Sequence, residues 1–211
     1  MTYDIISTGS KGNAVVVNGN VLIDCGVPFK ALREHYKNLQ LILLSHIHGD
    51  HFNRTAIGRL AQERPTLRFG CCGWLVAPLL ECGVNKYNID VYMPGGQFIY
   101  PGFCTVEVSG TTHNVPNCAY HLQIGAERLL YATDTNTMDG IDAKHYDLYM
   151  LEANYAEQEI IERIRQKQSE GKYCHEWGAL ENHLSQEKAL DWLYENMGPN
   201  SGYIFMHQHE D

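Results

Sequence analysis

Leu39-Gln40-Leu41-Ile42-Leu43-Leu44-Ser45-His46-Ile47-His48-Gly49-Asp50-His51 joins a nearly continuous apolar run to four ligand-type side chains within six positions. The run has strand length and reads as a buried strand over Leu39–Ser45. In an extended segment His46 and His48 alternate, so both project to one side. A turn at Gly49 would then bring Asp50 and His51 toward a second point a few ångströms away. Imidazole nitrogens and carboxylate oxygens suit zinc and similar divalent ions. A histidine-rich surface loop would explain His-x-His alone, but it explains the Asp-His that follows less well.

Outward from this motif the chain reads as alternating strands and helices. Strands are expected at Tyr3–Ser7, Asn13–Asn18 and Asn20–Asp24, with Asn18-Gly19-Asn20 as a hairpin signal. Further strands are expected at Leu67–Gly70, Phe98–Tyr100, Phe103–Ser109, Tyr120–Gly125, Arg128–Thr133, Asp147–Glu152 and Tyr203–Met206. Helices are expected from Pro28 to about Lys37, at Arg54–Glu63 before Pro65, and at Trp74–Cys82. Two more fall at Glu157–Glu170 and at Ser185–Asn196, the latter with Ser185 as N-cap. Two strand-rich halves, each followed by helices, imply two sheets with helices on their outer faces.

The 211 residues include 25 acidic and 16 basic side chains, a formal net charge of −9, which argues against a broad basic surface for nucleic acid. No run approaches the roughly 18 apolar residues of a membrane span, and no secretory signal is readable. Seven cysteines form no C-x-x-C pair, so buried reduced thiols in a cytoplasmic setting are the plain reading.

His-x-His-x-Asp-His resembles the hallmark of the metallo-β-lactamase superfamily. Thr8-Gly9-Ser10-Lys11-Gly12-Asn13-Ala14 and Leu22-Ile23-Asp24-Cys25-Gly26 look like its opening hairpin. The resemblance implies a single α/β domain over residues 1–211, an αββα four-layer sandwich. It implies that Asp24 supports the histidine loop, that His113 and Asp134 follow strands as ligands, and that His207 is the last histidine ligand, with His209 as its competitor. By that resemblance His46, His48 and His113 hold one Zn2+ or Mn2+ ion, Asp50, His51 and His207 hold another, and Asp134 is shared. Such a pair activates a water for hydrolysis, and Asp50 orients that water.

Glu152-Ala153-Asn154 and Asn182-His183-Leu184-Ser185 resemble the phosphodiesterase branch, the tRNase Z-like and YycJ-type enzymes. That implies Glu152 holding His183, which protonates the leaving alkoxide; a polar helix-start residue is the alternative for His183. Tyr155 stands where the YycJ-type group commonly has histidine. Only twenty-one positions separate His113 from Asp134, too few for the arm with which tRNase Z enzymes clasp tRNA. A nucleotide phosphodiester is therefore the expected substrate, a cyclic nucleotide or short oligonucleotide, with phage enzymes that degrade cyclic nucleotides as a comparison. Tyr173, His175 and Trp177 are the expected substrate-binding residues. A YycJ-like nuclease is the nearest alternative, and a thioester, lactone or β-lactam hydrolase the more distant one. Dimers are frequent among the enzymes it resembles, which makes a homodimer a further expectation.

Overall fold

A computed structural model describes residues 1–208. The chain forms two compact units, Met1–Val108 and a second that begins at Ser109. The first contains β1 (Tyr3–Ser7), β2 (Ala14–Val17), β3 (Val21–Ile23), β4 (Leu41–Leu44), α1 (Arg54–Glu63), β5 (Arg68–Cys72), α2 (Val76–Glu81) and β6 (Ile89–Tyr92). Its six strands make one sheet in sequence order, antiparallel from β1 to β3 and parallel from β3 to β6. An antiparallel hairpin of β7 (Gln97–Tyr100) and β8 (Cys104–Thr111) follows, with β8 running on across the unit boundary.

All four side chains of β4 are buried, as an apolar run in a parallel sheet requires. Val16, Leu22, Ile42, Leu44 and Phe69 pack with Ala56, Ile57 and Leu60 of α1. That helix starts where Asn53 caps it, the side-chain oxygen accepting from the Ala56 amide at 3.0 Å, and it ends before Pro65.

The second unit holds β9 (Asn117–Ile124), β10 (Glu127–Ala132), β11 (Leu148–Glu152), α3 (Glu157–Ser169), α4 (Glu176–Asn182), α5 (Gln186–Asn196) and β12 (Gly202–Met206). Here β9 and β10 are antiparallel, whereas β10, β11 and β12 run parallel. Leu130, Ala132, Tyr149 and Leu151 form a core with Ala189 and Leu193 of α5. Ser185 caps α5, its hydroxyl accepting from the Lys188 amide at 3.2 Å.

One expected helix fails and two elements arise that the sequence did not announce. In place of a helix to Lys37 there is a single 3-10 turn at Phe29–Leu32, where only Leu32 is buried. Without an apolar stripe to dock, a longer helix has nothing to stabilise it. Strand β6 escapes a period-2 reading because Asp90 and Tyr92 point inward while Val91 is half exposed. Arg68 makes that inward carboxylate tolerable by pairing with Asp90, and the Tyr100 hydroxyl donates to it at 2.8 Å. Helix α4 has no buried residue, so no periodic signal announced it.

Candidate metal centre

In a sheet with parallel strands, side chains just past the carboxyl ends of adjacent strands meet at one edge. In the first unit β3 and β4 place Asp24 and Ser45-His46 there. Asp24 is fully buried, and its carboxylate accepts from the Ser45 amide at 2.9 Å, from the Ser45 hydroxyl at 2.9 and 3.0 Å, and from His51 Nδ1 at 2.6 Å. A buried charge is tolerated when it is hydrogen-bonded this fully.

These contacts settle the tautomers. His51 Nδ1 donates to Asp24, so Nε2 carries the lone pair; Asn13 Nδ2 lies 2.8 Å from that nitrogen. The Ser45 hydroxyl has one hydrogen, which goes to Asp24, so toward His46 Nδ1 at 3.0 Å it can only accept. His46 Nε2 therefore also carries its lone pair. Ring centroids of His46 lie 4.8 Å from His48 and 4.2 Å from His51. Asp50 Oδ2 is 3.8 Å from His51 Nε2, beyond hydrogen bonding. Two ligands at about 2.1 Å from a tetrahedral ion stand roughly 3.4 Å apart, so the donor set of this loop suits a divalent metal in type and spacing. Asp24 and Ser45 supply the carboxylate and hydroxyl that fix ligand orientation in such sites.

The loop is pinned from behind. Asn13 donates its amide hydrogen to Asp50 O at 2.6 Å, Cys25 donates to His51 O at 2.9 Å, and Asn53 donates to Cys25 O at 2.8 Å. Gly26 lies so close that a Cβ there would sit 1.7 Å from Asp50 O. Gly26→Ala must therefore displace the loop, and a fall in stability of about 1–3 kcal/mol is expected, with weakened zinc binding. Thermal unfolding and zinc titration would measure both. The turn at Gly49 is present as expected, but it does not need glycine: its φ is not in the left-handed region and a Cβ would meet open space. The turn is instead closed by the amides of His51 and Phe52, both donating to His48 O, at 2.9 and 2.7 Å. Gly49→Ala should change stability by no more than about 0.5 kcal/mol and leave zinc stoichiometry unaltered.

In the second unit, Asp134, Glu152 and His207 emerge at the carboxyl ends of β10, β11 and β12, where Ala132 pairs with Leu151 and Glu152 with Met206. Glu152 is fully buried. Its Oε2 accepts from the Thr135 amide at 2.6 Å, while Oε1 lies 2.6 Å from His183 Nδ1 and 3.2 Å from His207 Nδ1. One carboxylate thus orients two imidazoles through their Nδ1 atoms and leaves each Nε2 for other work. His113 Nδ1 donates to Asn182 O at 3.2 Å. Asp134 Oδ1 stands 3.7 Å from His113 Nε2 and 3.9 Å from His207 Nε2, again the spacing of ligands rather than of hydrogen bonds. Asp134, Glu152, His183 and His207 each offer an atom within 4.8 Å of the others'. With Glu152 engaged in orienting imidazoles, the donors whose chemistry fits a divalent ion here are His113, Asp134 and His207.

Asp24, Asp134 and His207 share a left-handed backbone, with φ of 57°, 54° and 52°. Non-glycine residues are held there only when the surroundings over-determine them, at about 1–3 kcal/mol each. Asn117 donates to the carbonyls of Thr133 and Asp134 at 2.9 and 2.7 Å, and Asn154 to that of His207 at 2.8 Å.

Reading the sequence missed this supporting set of Asn13, Ser45, Asn117 and Asn154, although each lies within or beside a quoted segment except Asn117. Of the expected substrate-binding residues, Tyr173 is 78% exposed with its ring 4.8 Å from His175, Trp177 is half exposed on α4, and His175 is the residue before that helix. His209 lies outside the described residues. All seven cysteines are free, and burial pushes the Cys25, Cys71 and Cys104 thiols up to about 12, which makes them inert. Among the described residues no helix is long and apolar enough to cross a membrane.

Comparison with solved structures finds the same fold across the chain. YhfI from Bacillus subtilis, a metallo-β-lactamase fold protein, has a TM-score of 0.75 at 18% identity, covering 99% of this chain and 87% of its own. The short form of human tRNase Z has a TM-score of 0.73 at 12% identity, covering 100% and 93%. Zinc-bound PqqB from Methylobacterium extorquens has a TM-score of 0.69 at 12% identity, covering 99% and 89%. No curated protein matches the chain in sequence. Residues 19–207 match the family described as the Beta-lactamase superfamily domain. The expected metallo-β-lactamase fold is therefore the fold of this protein, and the chain belongs to the β-lactamase superfamily.

Proposed function

We propose that this protein is a metal-dependent phosphodiesterase acting on a nucleotide phosphodiester, a cyclic nucleotide or short oligonucleotide, and working as a single domain in a reducing, cytoplasmic setting. In this reading His46, His48 and His113 hold one ion, Asp50, His51 and His207 hold the other, and Asp134 is shared. Zn2+ or Mn2+ bound there supplies an activated water and offsets charge on the phosphoryl oxygens. Asp50 accepts a hydrogen bond from the attacking water and orients it.

The observation that carries the reading is the 2.6 Å contact between His183 Nδ1 and the buried Glu152. With Nδ1 held by Glu152, Nε2 is the ring nitrogen left to serve the leaving oxygen. An alkoxide leaving group needs a proton donor, whereas the thiolate of a thioester departs without one. Membership of a superfamily whose fold is shared with tRNase Z supports phosphodiester chemistry. The acidic balance, −9 overall, favours a small diester over a long duplex.

The test is turnover of bis(p-nitrophenyl) phosphate, cyclic mononucleotides, and single-stranded and duplex oligonucleotides with added Zn2+ or Mn2+, beside thioester, lactone and β-lactam substrates. Hydrolysis of cyclic nucleotides or short oligonucleotides is expected. Cleavage of long nucleic acid alone would replace this reading by a YycJ-like nuclease, and turnover of carboxylic derivatives alone would overturn it.

A further inference from the structure

The segment between Glu152 and His183 builds a small core of its own, in which Tyr155, Ile160 and Ile164 pack with Ala179 and Leu180. Beside it opens a cavity of about 310 Å³ with an apolar wall from Tyr155, Ile160 and Ala179. Arg163, Lys167, His175 and Glu176 line the rest. That volume is at the lower end of small-molecule sites, and an apolar wall with a few convergent polar groups is their usual composition.

The informative group is Glu176. Its Oε1 accepts from Lys167 Nζ, and that ammonium holds the carboxyl below the usual range, so it stays an acceptor. Its Oε2 is buried and has no hydrogen-bond partner among the described residues. A buried acceptor left unmade is costly, so a ligand that brings a donor there gains affinity by satisfying it. The donor has to be neutral, because Arg163 and Lys167 line the same cavity and disfavour an ammonium group. The other requirement is a flat apolar body to lie against Tyr155 and Ile160.

We propose that the cavity between α3 and α4 seats the base of a nucleotide, and that Glu176 Oε2 selects bases bearing an exocyclic amino group. A carboxylate accepting from such an amino group is a standard base contact. The position suits a substrate of the site described above: α4 runs from Glu176 to Asn182 directly before His183, about 10 Å at 1.5 Å per residue, and Tyr155 directly follows Asn154. The inference rests on the phosphodiesterase reading for its link to catalysis, but its test reads binding.

The experiment is calorimetric titration of the full chain with two matched pairs, CMP against UMP and AMP against IMP, each pair exchanging an amino group for a carbonyl. The amino-bearing member is expected to bind about tenfold tighter or more in at least one pair. In Glu176→Gln, the amide oxygen stays with Lys167 and the NH2 group faces the cavity, so the preference should vanish or invert. Ala179→Trp should fill the cavity and weaken both members, with thermal unfolding checking that the variant folds. Equal binding within both pairs, no binding of any nucleotide, or a preference that survives Glu176→Gln would overturn the inference, leaving an ordered water as the occupant. Hydrolysis of bis(p-nitrophenyl) phosphate, which has no base, distinguishes the two failures. Its absence beside an intact amino preference refutes the catalytic reading alone, and its presence without a preference refutes the base pocket alone.

Discussion

Asp50→Ala is expected to lower phosphodiester turnover by about 10³-fold or more and to reduce bound zinc from two ions toward one per chain. An ion that stabilises transition-state charge contributes several kcal/mol, and about 4 kcal/mol corresponds to that factor. The fold should survive the change, because the Asp50 carbonyl, which the substitution keeps, accepts the Asn13 hydrogen bonds that pin the loop at this position. Its side chain is 24% exposed, whereas His51 beside it is fully buried and held by Asp24. Removing the carboxylate should therefore delete the proposed ligand and leave its neighbours in place. Metal analysis of the purified variant, thermal unfolding of its metal-free form and turnover of bis(p-nitrophenyl) phosphate would be measured together. Full activity, or two ions still bound with activity lost only through unfolding, would refute the assignment of Asp50.

The parts of the fold that were readable are those in which burial and sequence pattern coincide. Strand β4 is legible because a parallel strand buried on both sides must be apolar throughout, and Leu41–Leu44 is. Helix α1 is legible because Asn53, an apolar stripe and Pro65 all mark the same boundaries. Strand β6 was not, because its inward positions carry Asp90 and Tyr92, whose burial depends on Arg68 and Tyr100 from distant parts of the chain. A pattern rule that scores residues singly has no access to a charge neutralised 22 positions away.

The candidate site divides the same way. His46, His48, Asp50 and His51 announce themselves because four ligand types in six positions have few other uses. Asp24 needed the superfamily resemblance, and the structure then gives it three hydrogen-bonded partners: one amide, one hydroxyl and one imidazole. Asn117 had no local signal, and Asn154 had only its place in Glu152-Ala153-Asn154, since what they do is hold backbone carbonyls of Asp134 and His207 in a left-handed conformation. That conformation is invisible in a sequence, because asparagine at a strand end ordinarily means a turn. The turn at Gly49 is where the sequence put it, but glycine is not what closes it. Glycine permits a left-handed turn but does not require one, and this turn closes with helical-type amide contacts to His48 O.

His183→Ala should separate proton donation from metal binding. Its side chain is 18% exposed, and its backbone amide donates to Ala179 O whatever the side chain is, so α4 keeps its end. Glu152 is not orphaned by the change, because Oε2 still accepts from the Thr135 amide and Oε1 still faces His207 Nδ1 at 3.2 Å. A stability loss of about 1 kcal/mol and full metal content are therefore expected. Rates should depend on the leaving group. For a nucleotide diester, whose departing alkoxide must be protonated, turnover should fall by about 10²–10⁴-fold, the usual worth of a positioned acid. For bis(p-nitrophenyl) phosphate, whose phenolate leaves unaided, it should change little. Comparing the two substrates within one variant cancels errors in protein concentration and metal loading. An equal loss on both would show that His183 acts elsewhere than at the leaving oxygen, and loss of metal would make it a ligand, which its 3.9 Å approach to Asp134 Oδ1 would then explain.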